Sequence, residues 1–214
     1  MLEPLFNCLG FNLKPVKSQA NRTKRLPEYE LLNPQNNEKL AVCLVYPWER
    51  FLDGPDLKDT IAPDENPGAA VLDLLADGND WAIVTNGRQW RLYSAKTDSR
   101  VTNFYQVDAV EATTLDADTA DAFRFFWLIF RAQAFIQTNA AIAGETRTAC
   151  FLDQLLEGSQ QYAREVGDRL KERVFKDIFP ILAEGFIQDI RHRQGLDAEI
   201  AEAQLSVVYN ATLT

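Results

Sequence analysis

The chain has 214 residues, 46% of them hydrophobic, a single histidine and a formal net charge of -9. That length and apolar share allow one buried core or somewhat more. The acidic balance gives no general attraction to phosphate, so a free-standing nucleic-acid binder is not the default reading, and His192 alone, between Arg191 and Arg193, supports neither a Cys/His zinc site nor a serine-type triad.

In chain order, the apolar spacing Leu2, Leu5, Phe6, Leu9, Leu13 predicts a first short helix, broken at Gly10. The polar, basic stretch LKPVKSQANRTKRLP reads as a loop carrying a local cluster of Lys14, Lys17, Arg22, Lys24 and Arg25. Tyr29–Leu32 and Leu40–Tyr46, separated by NPQNNEK, predict two strands, the second a continuous apolar run of the buried kind. From Glu49 to Pro67 the Asp, Pro and Gly content predicts a long exposed connection, and Gly68–Ala76 a short helix. Trp81–Thr85 and Gln89–Ser94 flank Asn86-Gly87, a strong hairpin signal, and Thr102–Asp108 extends the meander. Beyond Asp116 the pattern reads as helical throughout. A helix opening at Asp118–Asp121 carries FRFFWLIFRAQAF, broadly enough apolar to be buried on most sides, and Leu152–Ile190 continues with a kink or break at Pro180. A last helix restarts at Gly195-Leu196-Asp197 and still runs at Thr214 without a cap, which reads as a piece of a longer protein.

Helices and strands mixed in this order predict an α/β (α+β) fold, a mixed sheet flanked by helices and followed by a helical connector. Cys8, Cys43 and Cys150 are odd in number and without C-x-x-C spacing, which suggests reduced, mostly buried thiols in a cytoplasmic protein. The start lacks the pattern of a secretory signal, and the most apolar stretch, Phe123–Ile136, is too short and too interrupted to span a bilayer.

Four stretches, LPEYELL, LAVCLVYPWERFLD, WAIVTNGRQWRLY and RLKERVFKDIFPILAEGF, resemble in their order the amino-terminal region of type IIG restriction-modification proteins and related phage-defence DNA methyltransferases. The resemblance runs from Leu2 to Leu213. It implies a restriction-endonuclease-like domain over residues 1–140, a helical connector over 141–214, and a missing S-adenosylmethionine-dependent methyltransferase domain, so DNA and that domain are the expected partners. Members that cut DNA carry a PD-(D/E)xK-type site, in which two carboxylates hold a divalent cation and a lysine orients the nucleophile. On this chain the first carboxylate falls at Glu28, the second at Leu44 and the lysine at Tyr46. Leucine cannot ligate magnesium, and a tyrosine is a neutral donor rather than a cation. Ala69, Ala70 and Val71 occupy the neighbourhood where active members often have glutamine. The expectation is a vestigial site at Glu28 with no metal held and cleavage lost. The alternative is an active magnesium-dependent endonuclease whose site has migrated onto Glu30, Glu38, Glu49, Asp53, Asp56 and Lys58.

Trp81, Trp90 and Trp127 read as core. Arg88, Arg91, Lys24, Arg25 and Trp48 are the candidates for DNA contact, with the competing reading that Arg88 and Arg91 pair with acids at the sheet rim. In the connector, Glu165 with Arg169 and Glu172 with Lys176 are acid-first i,i+4 pairs, whose opposite apolar face could dock the methyltransferase domain. The chain carries no glycine-rich loop for S-adenosylmethionine and no N-P-P-Y motif, so this fragment is expected to bind no cofactor of its own, magnesium entering only if the nuclease site is active.

Overall fold

A computed structural model describes residues 2–17, 25–97, 102–114, 120–142 and 145–194. They fall into two compact units, 1–154 and 155–214. Among the described residues no helix is long and apolar enough to cross a membrane.

The first unit is mixed α/β. Its six-stranded sheet runs in chain order β1 (Asn12–Pro15), β2 (Tyr29–Leu32), β3 (Lys39–Val45), β4 (Trp81–Thr85), β5 (Gln89–Ser94) and β6 (Phe104–Asp108). Every neighbouring pair is antiparallel except β3 and β4, which are parallel. A parallel pair needs a crossover, and helix α2 (Pro67–Ala76) supplies it. Asn66 caps α2 by accepting from the Gly68 N–H, and Pro67 takes the first helical position, where its missing N–H costs nothing.

The pleat sorts the side chains of the central strands onto two faces. Val42, Leu44, Tyr46, Ala82, Val84 and Tyr93 pack with Ala70, Val71, Leu74 and Leu75 of α2. On the opposite face Trp90 meets Phe6 of α1 (Glu3–Cys8), 5.2 Å between centroids, and Phe126 and Phe130 of α4 (Ala120–Phe130), while Trp81 stacks edge-on against Phe135. Edge-to-face geometry satisfies the ring quadrupoles as well as burying area. Cys43 and Cys150 are buried free thiols, and Cys8 is exposed. A short helix α3 (Ala109–Ala112) follows β6, capped by the Asp108 carboxylate.

Four expectations require correction. Gly10, at φ +87°, ends the first helix, and the segment after it forms β1, an edge strand paired with β2. The helix of aromatic residues is buried on one face and not on most sides: Phe126, Ile129 and Phe130 at i, i+3 and i+4 face the core, whereas Phe123, Phe125 and Trp127 are about half exposed, with the Arg131 guanidinium 4.2 Å from the Trp127 ring. Trp127 is therefore not a core residue. The region after it is not wholly helical, because a 3-10 turn (Ala132–Ala134) leads into a hairpin of β7 (Thr138–Ile142) and β8 (Glu145–Ala149), where Thr138, Ile142, Thr146 and Thr148 supply β-branched positions. Finally, Pro180 does not break the connector.

The second unit begins within α5 (Phe151–Arg173), which continues through a π-helical segment (Val174–Ile178) into α6 (Phe179–Gln194). Pro180 is the second residue of α6, and the widened turn immediately before it accommodates the ring without ending the helix. Glu172 and Lys176 form the expected pair, while Glu165 accepts from Gln161. Leu170, Val174, Phe175, Ile178, Ile181 and Leu182 are exposed. The last expected helix, from Gly195, lies outside the described residues.

Candidate functional site

The carboxyl-terminal ends of the parallel strands β3 and β4 gather several of the residues singled out from the sequence. Glu28 immediately precedes β2, and its N–H bonds to the Cys43 carbonyl at 2.9 Å, which sets it beside the end of β3. One Glu28 oxygen accepts the Val45 N–H at 2.7 Å and the other accepts from Arg25 at 2.5 Å. Arg25 reaches across to Glu65 at 3.3 Å, and the second Glu65 oxygen accepts the Tyr46 hydroxyl at 2.8 Å. Each of the four carboxylate oxygens thus receives one protein donor. Burial raises the Glu28 carboxyl above its ordinary value against the opposing pull of the Val45 N–H and Arg25, and burial likewise pushes the Tyr46 hydroxyl far up, so it stays a neutral donor.

Leu44 shares the face but is fully buried in the α2 core. The site therefore offers one carboxylate from the position the resemblance assigns, a hydrocarbon at the second and a phenol at the third. These residues do not fit a magnesium ion: the Glu28 and Glu65 oxygens already hold donors, one of them a cation, and a divalent ion would have to displace the guanidinium. Among the described residues no group of three or more His, Cys, Asp or Glu side chains is placed to hold a metal.

The acids of the migration alternative are separately engaged. Glu30 pairs with Lys14, Glu49 with Arg88, and Asp53 with Arg91, while Asp56 accepts the N–H groups of Phe51 and Lys58, and Glu38 accepts from Asn36. Lys58 itself is exposed in the loop.

The candidates for DNA contact are dispersed in role. Arg91 is a buried side chain on β5, only 4% exposed, held bidentately by Asp53 at 2.7 and 2.9 Å and bonded to Gln106 and the Leu52 carbonyl. Arg88, partly exposed, pairs with both Asp108 (2.7 Å) and Glu49 (3.0 Å). Arg25 bridges Glu28 and Glu65, and Lys24 lies outside the described residues. Trp48 is exposed, its ring lying over Gly87 so closely that a Cβ there would stand 2.7 Å from Trp48 Cε3. Gly87 also has φ +87°, so the turn needs glycine for both reasons.

Two residues central to this region carry no local sequence signal. Glu65 sits at the end of a loop and becomes part of the site only because Arg25 and the Tyr46 hydroxyl, 40 and 19 positions away, reach it. Arg50 organises the whole connection between β3 and α2: its side chain is 1% exposed and its five N–H groups go to Asp59 and to the carbonyls of Phe51, Gly54, Ala62 and Glu65. The chain matches no family model, and no curated protein or solved structure matches it.

Proposed function

We propose that this chain is the amino-terminal, nuclease-like part of a restriction-modification type DNA methyltransferase, that its cleavage site has been replaced by an internal ion-pair cluster, and that it serves to position the methyltransferase domain. The observation that carries this reading is the guanidinium of Arg25 between Glu28 and Glu65, beside a leucine and a tyrosine where a cutting enzyme needs a carboxylate and a lysine. Domain positioning is favoured over DNA contact because Arg25, Arg88 and Arg91 are committed to carboxylates and the chain carries a net charge of -9. The exposed apolar residues of α5 and α6 are the natural docking face for that domain. The S-adenosylmethionine site belongs to the absent domain.

The test is incubation of the purified chain and its Glu28→Ala variant with supercoiled plasmid and magnesium or manganese, alongside gel shifts on duplex DNA at low salt. The expected result is no nicking by either protein and no shift. Metal-dependent nicking that Glu28→Ala abolishes would overturn the loss of cleavage. A salt-sensitive shift weakened by replacing Arg88 would restore DNA contact as the role.

A further inference from the structure

The loop between β3 and α2, residues 46–66, exposes large apolar side chains from a backbone that has little freedom. Trp48 is 55% exposed, Phe51 54%, Leu57 88% and Ile61 78%. Solvent-facing apolar residues scattered singly need no explanation, but four from one loop of a chain with an adequate core do.

The loop is built rather than slack. The carbonyls of Phe51, Gly54, Ala62 and Glu65 all converge on the Arg50 guanidinium, at 2.6, 3.3, 3.0 and 2.6 Å. Asp59, the buried partner of Arg50 at 2.6 Å, also accepts the N–H groups of Ile61 and Ala62, and Asp56 accepts those of Phe51 and Lys58. Asn86 ties the loop to the β4–β5 hairpin by donating to the Arg50 carbonyl at 2.7 Å, and Leu52 is drawn wholly into the core. Ordering the loop in this way, with Leu52 turned in and Phe51, Leu57 and Ile61 turned out, means a partner would not have to meet the entropy of fixing it.

Charge indicates what kind of partner fits. The loop and the side chains paired with it contain six carboxylates (Glu49, Asp53, Asp56, Asp59, Asp64, Glu65) against five cations (Arg25, Arg50, Lys58, Arg88, Arg91), and two of those cations each hold a further carboxylate outside the loop, Arg25 that of Glu28 and Arg88 that of Asp108. Arg25 and Arg88 are each shared between two carboxylates, so the surplus around the apolar residues is negative. A phosphate backbone or a second copy of the same acidic surface would meet like charge, whereas a segment with apolar and basic residues interleaved satisfies both features.

We propose that the 46–66 loop is a preformed docking surface for a basic, amphipathic segment of another protein, with Phe51, Leu57 and Ile61 as the apolar contacts and the surrounding carboxylate surplus as the complement to its Lys or Arg residues. This does not depend on the nuclease-like reading.

The test uses the full chain, titrated calorimetrically with an 18-residue peptide patterned with Leu and Lys as an amphipathic helix. The comparison ligands are the same pattern with Glu in place of Lys, an oligolysine of equal charge, and a 20-bp DNA duplex. The variant Leu57→Ser/Ile61→Ser removes two strongly exposed contacts, and its thermal transition, expected to match wild type, shows that folding is retained. The expected result is binding of the Leu/Lys peptide that the variant weakens at least tenfold, with each comparison ligand at least tenfold weaker on the wild type. Equal peptide affinity for variant and wild type overturns the proposal. So does oligolysine or DNA binding as tightly as the Leu/Lys peptide, or wild-type self-association that the variant abolishes.

Discussion

Two arginines approach the ring of Tyr46, Arg25 at 5.3 Å and Arg50 at 4.8 Å from its centroid, and they do different things. Arg50 is buried, with every N–H matched to a carboxylate or a carbonyl of one loop, so its role is to fix a backbone. Arg25 keeps a quarter of its side chain exposed and joins two carboxylates from separate segments, so its role is to neutralise charge at the end of β3. Pairing alone does not distinguish them. Burial does, because a desolvated charge that loses its partner cannot recover its hydration, whereas a half-exposed one partly can.

The largest effect is expected at Arg50. Replacing Arg50 with Met or Asp59 with Ala leaves a buried charge unpaired, and either change should cost about 3–5 kcal/mol in urea unfolding. The double replacement should cost less than the sum, since neither charge then remains. Next is Gly87→Ala, which adds a Cβ both in the left-handed region and against the Trp48 ring; about 1–2 kcal/mol is expected, part of it recovered in the Trp48→Ala background. Arg25→Gln should cost only about 1 kcal/mol, in keeping with a partly exposed pair. Its clearer signature is in titration: the Glu28 carboxyl, already raised mainly by burial, should rise further by carbon-detected NMR once the Arg25 charge that lowers it is gone.

The same carboxyl predicts a small pH effect of a particular sign. A raised folded value means that the folded chain holds the Glu28 proton more tightly than the unfolded chain, so its contribution to stability is present at low pH and lost as pH rises through the folded value. Asp53, lowered by its hydrogen bond to Arg91, acts oppositely, as does Asp153, where burial opposes ionisation but Lys96 and the Cys150 N–H prevail. Their contributions are present above the ordinary aspartate range and lost as pH falls through the lowered values. Urea midpoints measured from pH 3 to 7 should therefore decline on the acid side in the wild type. Glu28→Gln should remove a component that decreases with rising pH just above the ordinary glutamate range.

What the sequence made legible follows from how local its causes are. Strands β3, β4 and β5 were readable because buried runs and an Asn-Gly turn are signals within a few residues of themselves. Strand β1 was not, because Asn12–Pro15 has no alternation to read and becomes a strand only by pairing with β2. The β7–β8 hairpin lay hidden in an alanine-rich stretch next to a strongly helical one. At the candidate site, the period of two along a strand puts Leu44 and Tyr46 on one face, whereas Glu28, on a separate segment, was placed with them only by the resemblance. Glu65 and Arg50 could not be found, since the pairs that define them span 40 and 9 positions of chain and look from the sequence like ordinary loop charges.

Both Glu28 oxygens are occupied by protein donors, which leaves no place there for a divalent metal. Calorimetric titration of manganese into the wild-type chain and into Glu28→Gln tests this most directly. Superimposable heats with no saturable site in either protein are expected; a one-site isotherm in the wild type that Glu28→Gln abolishes would show that Glu28 holds a metal after all.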